Sequence, residues 1–225
     1  MTTDVIHNTT SVDAKALRFQ RLAQKVQDCR LCPRMEGRRR VLGPLNGSLS
    51  ASVVFVAEAP GRLGADRDGI PLWGDQSGRN FNALIKGIGW DRSSLFITNA
   101  VLCNPRDGKD RNLSPASQEV RNCSQHLREL LDVIQPEYVV TLGKKTLNAL
   151  SYIEPHNIEL RRDVANPSPW RDIQVVPLYH PAPRALIHRS MEGQRADYRK
   201  LDHLLHGDGA GEARDKAMQQ MSLRR

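Results

Sequence analysis

The chain has 225 residues, with 33 Lys and Arg against 25 Asp and Glu, a formal net charge of +8 and 39% hydrophobic residues. That length suits one α/β domain with a full core, and the absence of any apolar run near the roughly 18 residues needed to cross a bilayer excludes a helical membrane protein. No secretory leader pattern is present, so a cytoplasmic protein with no membrane partner is expected.

Residues 1–11 carry no periodic pattern and are expected to be disordered. From Val12 to Asp28, Ala14, Leu17, Leu22 and Val26 recur with charges between them, the pattern of an amphipathic helix. The helix runs into the C-x-x-C pair Cys29 and Cys32. Val53–Ala57 (VVFVA) is a continuous apolar run, fit for a strand covered on both faces. Ser77–Ile88 reads as a helix with Phe81, Leu84, Ile85 and Ile88 on one side.

Leu95–Asn99 (LFITN) is the next strand. After the loop NPRDGKDRNL, Ser114 and Pro115 offer an N-cap and first-turn pair for a helix reaching Ile134. Tyr138–Leu142 (YVVTL) ends at Gly143 and leads into a short helix, KKTLNAL. Val175–Tyr179 (VVPLY) is the last strand and Ser190–Leu205 the last helix. Residues 207–225 are Gly, Ala and charge, and are expected to be a disordered tail.

Alternating strands and helices imply an α/β fold of three layers, α/β/α, around a central parallel sheet of about four strands. One domain over residues 12–206 is expected, acting as a monomer. Ligands of such sheets bind outside the carboxyl ends of the strands. Here those ends carry Glu58–Gly61 (EAPG), Asn99, Gly143 and His180. The arginines, among them Arg34, Arg38, Arg39, Arg40 and Arg184, favour a polyanionic partner, because neutralising phosphates releases condensed counterions.

The four cysteines are Cys29, Cys32, Cys103 and Cys123. The C-x-x-C spacing lets two thiolates reach one metal centre, and a cytoplasmic setting disfavours disulfides. Cys103 follows a strand and Cys123 lies in the helix after the next loop, so these two can approach each other. A thioredoxin-type pair would open a helix, whereas Cys29 and Cys32 end one. On spacing, four thiolates suit structural zinc and an iron–sulfur cluster equally well.

Taken together, these residues resemble the uracil-DNA glycosylase superfamily, in particular its cluster-bearing families 4 and 5. VAEAPG (Val56–Gly61) is similar to the first motif of that superfamily. LFITNAVLCNP (Leu95–Pro105), with Asn99 four residues before Cys103, is similar to the second, and YHPAP (Tyr179–Pro183) to the third. The resemblance covers Ala23 to Leu205. The EAPG core looks like family 4, while APGRLGADRDG and WGDQSG look more like family 5. The chain departs from both in Ala57, where Gly commonly opens the first motif, and in GIPLWG, which puts Leu72 where an aromatic normally stacks on the base. The RDGKDRN stretch also lengthens the segment between Cys103 and Cys123.

The resemblance implies a [4Fe–4S] cluster on the four cysteines and uracil-containing DNA as substrate. It implies hydrolysis of the N-glycosidic bond to leave an abasic site, with no lyase step, since the three motifs hold no lysine. Such excision requires a flipped base, stabilised charge on the leaving uracil and a positioned water. By this resemblance His180 donates to the base O2, and Asn99 pairs with N3–H and O4. Ala59 stands where the best-known family places a water-activating aspartate, so the acid is expected to be Asp75, with Glu58 second. Ala59, Pro60 and Gly61 would form the pocket wall and Leu72 and Trp73 its floor, unless Trp73 or Phe81 turns inward to stack. Arg184 and the wedge Leu186 would enter the DNA, with Arg38 and Arg39 along its phosphates. The alternative is a non-catalytic or product-trapping DNA-binding protein of the same fold, for which His126 and His188 are the available nucleophiles.

Overall fold

The computed structural model describes residues 3–207, with side chains from Asp13 onward. In chain order the elements are α1 (Thr3–Gln27), β1 (Val53–Ala57), α2 (Ala65–Asp68), α3 (Gln76–Gly87), β2 (Phe96–Asn99) and α4 (Ser117–Ile134). There follow β3 (Tyr138–Leu142), α5 (Lys144–Leu150), α6 (Leu160–Asp163), β4 (Ser168–Trp170), β5 (Ile173–Leu178) and α7 (Met191–His206). The first helix starts at Thr3 rather than Val12, so most of the stretch expected to be disordered continues it. No Gly or Pro precedes Pro33, so nothing there breaks the helix. The tail expected after His206 lies outside the described residues from Asp208 on.

The sheet has five strands in the order β2-β1-β3-β5-β4. Four are parallel, as expected, and β4 runs antiparallel to β5, pairing Ser168 with Val175 and Trp170 with Ile173. Its central residue, Pro169, has no ladder donor, which confines so short a strand to the edge. The interior strand β1 is buried along its whole length. On one face Val54, Val56, Phe96, Val139 and Val175 pack against Phe19 and Leu22 of α1 and Leu127 and Leu130 of α4. On the other, Val53, Phe55, Ile97 and Val140 pack against Phe81 and Leu84 of α3 and Tyr198 of α7. These are the three layers, and full burial of each large apolar side chain contributes about 1.5–3 kcal/mol.

Helix α4 begins later than Ser114 and Pro115 suggest. Its N-cap is Ala116, whose N–H donates to the Glu119 carboxylate at 2.7 Å, while Ser114 Oγ accepts from Lys145 instead. The carboxylate three residues into the helix reaches back to the N-cap N–H, the half of a capping box that does not need a serine at the cap.

Register fixes what the sheet presents at its carboxyl end. Ala57 pairs with Asn99, Val56 with Thr141, and Leu142 with Leu178. Glu58, Asn99, Gly143 and His180 therefore emerge side by side.

Candidate active site

His180 leaves β5 one residue past Tyr179, in a turn held from two sides. Gly143 N–H donates to Leu178 O at 2.7 Å, and Asn80 of α3 donates through Nδ2 to Pro181 O at 2.7 Å. Gly143 adopts φ +99, which a side chain rarely tolerates. Within the turn, Ala182 N–H donates to His180 Nδ1 at 3.1 Å. An amide can only donate, so Nδ1 is the acceptor and the neutral ring carries its proton on Nε2. Burial pushes the imidazole below its ordinary pKa of 6.5, partly opposed by the carboxylates of Glu58 and Asp75. His180 is thus a neutral ring with one N–H to give.

Asn99 ends β2 at 2% exposure, and its Nδ2 has no hydrogen-bond partner among the described residues. A buried donor left unpaired costs about 1–3 kcal/mol, so this amide is poised for an acceptor from outside the chain. Just beyond it, Ala100 N–H donates to Ala57 O at 2.7 Å and Val101 N–H to Glu58 O at 3.0 Å, joining the two strand exits. Glu58 Oε1 is likewise buried without a hydrogen bond, with the Lys145 ammonium 3.6 Å away.

Asp75 has one oxygen already engaged. It is the N-cap of α3, its Oδ1 accepting from Gly78 N–H at 2.8 Å. Its Oδ2 lies against the EAPG turn, so close that a Cβ on Gly61 would stand 2.7 Å from it. Leu72 takes φ +47 and sits in the core beside Phe81. Phe81 is fully buried, edge-on to Phe55 at 5.1 Å, and does not turn toward the strand exits. Trp73 is 43% exposed, with the Arg92 guanidinium 5.8 Å from its ring centre. Arg92 also donates to Leu72 O at 3.4 Å, to Asn82 Oδ1 at 3.2 Å and to Pro71 O, so one cation braces the whole 71–73 corner.

The four cysteines line one small cavity together with Met35 and Arg40. Among the described residues no three His, Cys, Asp or Glu side chains gather closely enough to hold a single metal ion. Burial pushes the Cys103 thiol up to about 11 and the Cys123 thiol up to about 12. Thiolates there require a compensating cation.

The model of the uracil DNA glycosylase superfamily matches residues 44–201. The chain belongs to the uracil-DNA glycosylase superfamily. It is 30% identical over 192 residues to the Type-4 uracil-DNA glycosylase of Sulfurisphaera tokodaii, covering 83% of this chain and 84% of that protein. Identity to the Type-4 enzyme of Archaeoglobus fulgidus is 29% over 190 residues, 81% of this chain and 91% of the relative. The Type-5 uracil-DNA glycosylase of Pyrobaculum aerophilum is 28% identical over 200 residues, 73% of this chain and 83% of its own. Both branches legible in the motifs thus recur among the relatives.

As a uracil-DNA glycosylase superfamily member, the chain carries a surface that its sequence places only partly. Pro183–Ile187 form one 3-10 turn after the His180-Pro181 step. Arg184 is exposed and Leu186 half-buried, whereas Ile187 is 82% exposed. Successive residues in such a turn point about 120° apart, and the sequence does not say which will face outward. Arg39 Nε donates to Asp66 O at 3.0 Å, and Arg38 Nε is buried with no partner among the described residues. His126 is buried in α4 at 3% exposure, out of reach of a sugar as a nucleophile, while His188 is exposed.

Proposed function

We propose that this protein is a uracil-DNA glycosylase of base-excision repair, which hydrolyses the N-glycosidic bond of uracil in DNA and leaves an abasic site. The observation that carries the reading is the meeting, at one end of the sheet, of three unspent polar groups: Asn99 Nδ2, His180 Nε2–H and Glu58 Oε1. A flipped uracil uses the first two, and the third is left for the attacking water. Asn99 donates to O4 and accepts from N3–H, a pattern cytosine reverses. His180 donates to O2 as negative charge builds there, a contribution of about 2.7–4 kcal/mol for one such donor. Ala59, Pro60 and Gly61 form the wall, with Leu72 and Trp73 at its lower edge.

For the water, we favour Glu58 over Asp75. Asp75 already spends Oδ1 on the cap of α3, whereas Glu58 Oε1 accepts no hydrogen bond and has Lys145 nearby. On the DNA side, Arg184 braces the gap left by the flipped nucleotide. The exposed Ile187 serves as wedge in place of Leu186, while Arg38 and Arg39 border the phosphates.

The residues around the cysteine cavity fit a [4Fe–4S] cluster. Four sulfurs share one cavity, the ligand number that a four-iron cluster takes from cysteines. When bound on Cys29, Cys32, Cys103 and Cys123, the cluster supplies a covalent cross-link between the segment after α1, the exit of β2 and α4. Among the described residues no helix is long and apolar enough to cross a membrane.

The test is incubation with a uracil-containing oligonucleotide, followed by alkali and a denaturing gel. Cleavage at uracil supports the reading. An intact strand in single- and double-stranded substrates alike contradicts it and leaves a DNA-binding protein of the same fold.

A further inference from the structure

We propose that Asn104, Arg106 and Asn112 form a latch through which the loop after Cys103 sets the position of the Pro60–Arg62 turn, and that Asn112 is a positioning residue for base excision. The inference rests on the glycosylase reading for its kinetic consequence but not for its structural one.

Asn104 directly follows Cys103 and is 1% exposed. Its Nδ2 donates to Pro60 O and, at 3.0 Å, to Asn112 Oδ1, while its Oδ1 accepts from Arg106 Nε at 2.5 Å. Asn112 Oδ1 accepts a second bond, from Arg62 N–H at 3.1 Å. The two amide side chains therefore grip the backbone on either side of Gly61, the residue packed against Asp75. Arg106 continues the network to Asp66 in α2 and to Asp110 Oδ1 at 2.6 Å.

The Arg106–Asp66 pair is largely desolvated, with side-chain exposures of 14% and 8%. Losing either member would strand a charge, so the pair pins the loop to the segment after the EAPG turn. Asp107 completes the loop's own shape, its Oδ1 accepting from Lys109 N–H at 2.9 Å and Arg111 N–H at 2.8 Å. The RDGKDRN stretch is thus a hydrogen-bonded brace. Its attachment next to Cys103 makes the cysteine cavity and the pocket wall parts of one support.

Asn112 is exposed, so its replacement leaves the core intact. The holoprotein carrying Asn112→Ala should exchange amide hydrogens faster in a peptide covering Gly61–Asp66, with the remaining peptides and the visible cluster absorbance unchanged. Its single-turnover excision rate should fall about 10²-fold, the usual cost of misplacing a group by an ångström, with DNA affinity held. Asn112→Asp keeps the acceptor for both Arg62 N–H and Asn104 Nδ2 and should restore protection and rate. Unchanged exchange at Gly61–Asp66 in Asn112→Ala overturns the latch, whether or not the wild type releases uracil. Faster exchange with an unchanged rate overturns the positioning role.

Discussion

The backbone N–H of Ala182 donates to Nδ1 of His180 across 3.1 Å, and this bond decides which end of the imidazole faces the substrate. Protonating the ring would place a second N–H against that amide. The ring is also held below its ordinary pKa of 6.5, chiefly by burial. Below pH 6.5 the unfolded chain therefore binds the proton more readily than the folded one, and stability contributed by the neutral ring is lost as pH falls through the folded value. The excision rate should be level above about pH 6.5 and decline on the acid side. A single-turnover pH profile checks this, and His180→Ala should lose about 10²–10³-fold at neutral pH.

Glu58 and Asp75 separate by what each replacement disturbs. Glu58→Gln removes a charged acceptor that no hydrogen bond occupies. It should lower the single-turnover rate by about 10²-fold, within the range of general base contributions, with little change in thermal stability. Asp75→Ala removes the cap of α3 and should cost about 1 kcal/mol of stability, read as a lower denaturant midpoint. A larger rate loss in Asp75→Asn than in Glu58→Gln would reverse the assignment.

Much of the fold was legible because local pattern and tertiary need agree. Val53–Ala57 and Tyr138–Leu142 are central parallel strands, buried on both faces, and their apolar runs mark their ends to the residue. Strand β4 was not legible, since three residues with a central proline carry no period. The site was legible as strand ends, where motif residues must sit. What each side chain already spends on its neighbours was not. Asp75 could have been recognised from its place three residues before Gly78 at a helix start, the usual position of a capping carboxylate. The network joining Asn104 and Asn112 to the EAPG turn depends on folding one loop over another, and no sequence period encodes it.

Ile187 and Leu186 offer a test of the DNA-facing turn. Ile187→Ala should reduce excision from double-stranded DNA by about five- to thirty-fold, about 1–2 kcal/mol of lost apolar contact, and affect single-stranded substrate less. Leu186→Ala should act mainly on stability, because that side chain is half-buried. Rates on both substrates, beside a melting curve for each variant, distinguish the two.

The cysteine cavity predicts a composition. Protein purified without oxygen should contain about four iron and four sulfide per chain, and Cys123→Ser should lose the iron together with thermal stability. Zinc without sulfide would contradict the cluster.

The most direct measurement follows the base itself. An oligonucleotide carrying one uracil and a second carrying cytosine at the same position are incubated with the wild type and with Asn99→Ala, and free base is quantified by mass spectrometry. The wild type should release free uracil and no free cytosine, with uracil release from Asn99→Ala reduced by about tenfold or more, as expected when a buried pairing group is removed. Bound but intact uracil DNA with the wild type, or undiminished uracil release by Asn99→Ala, would contradict this reading.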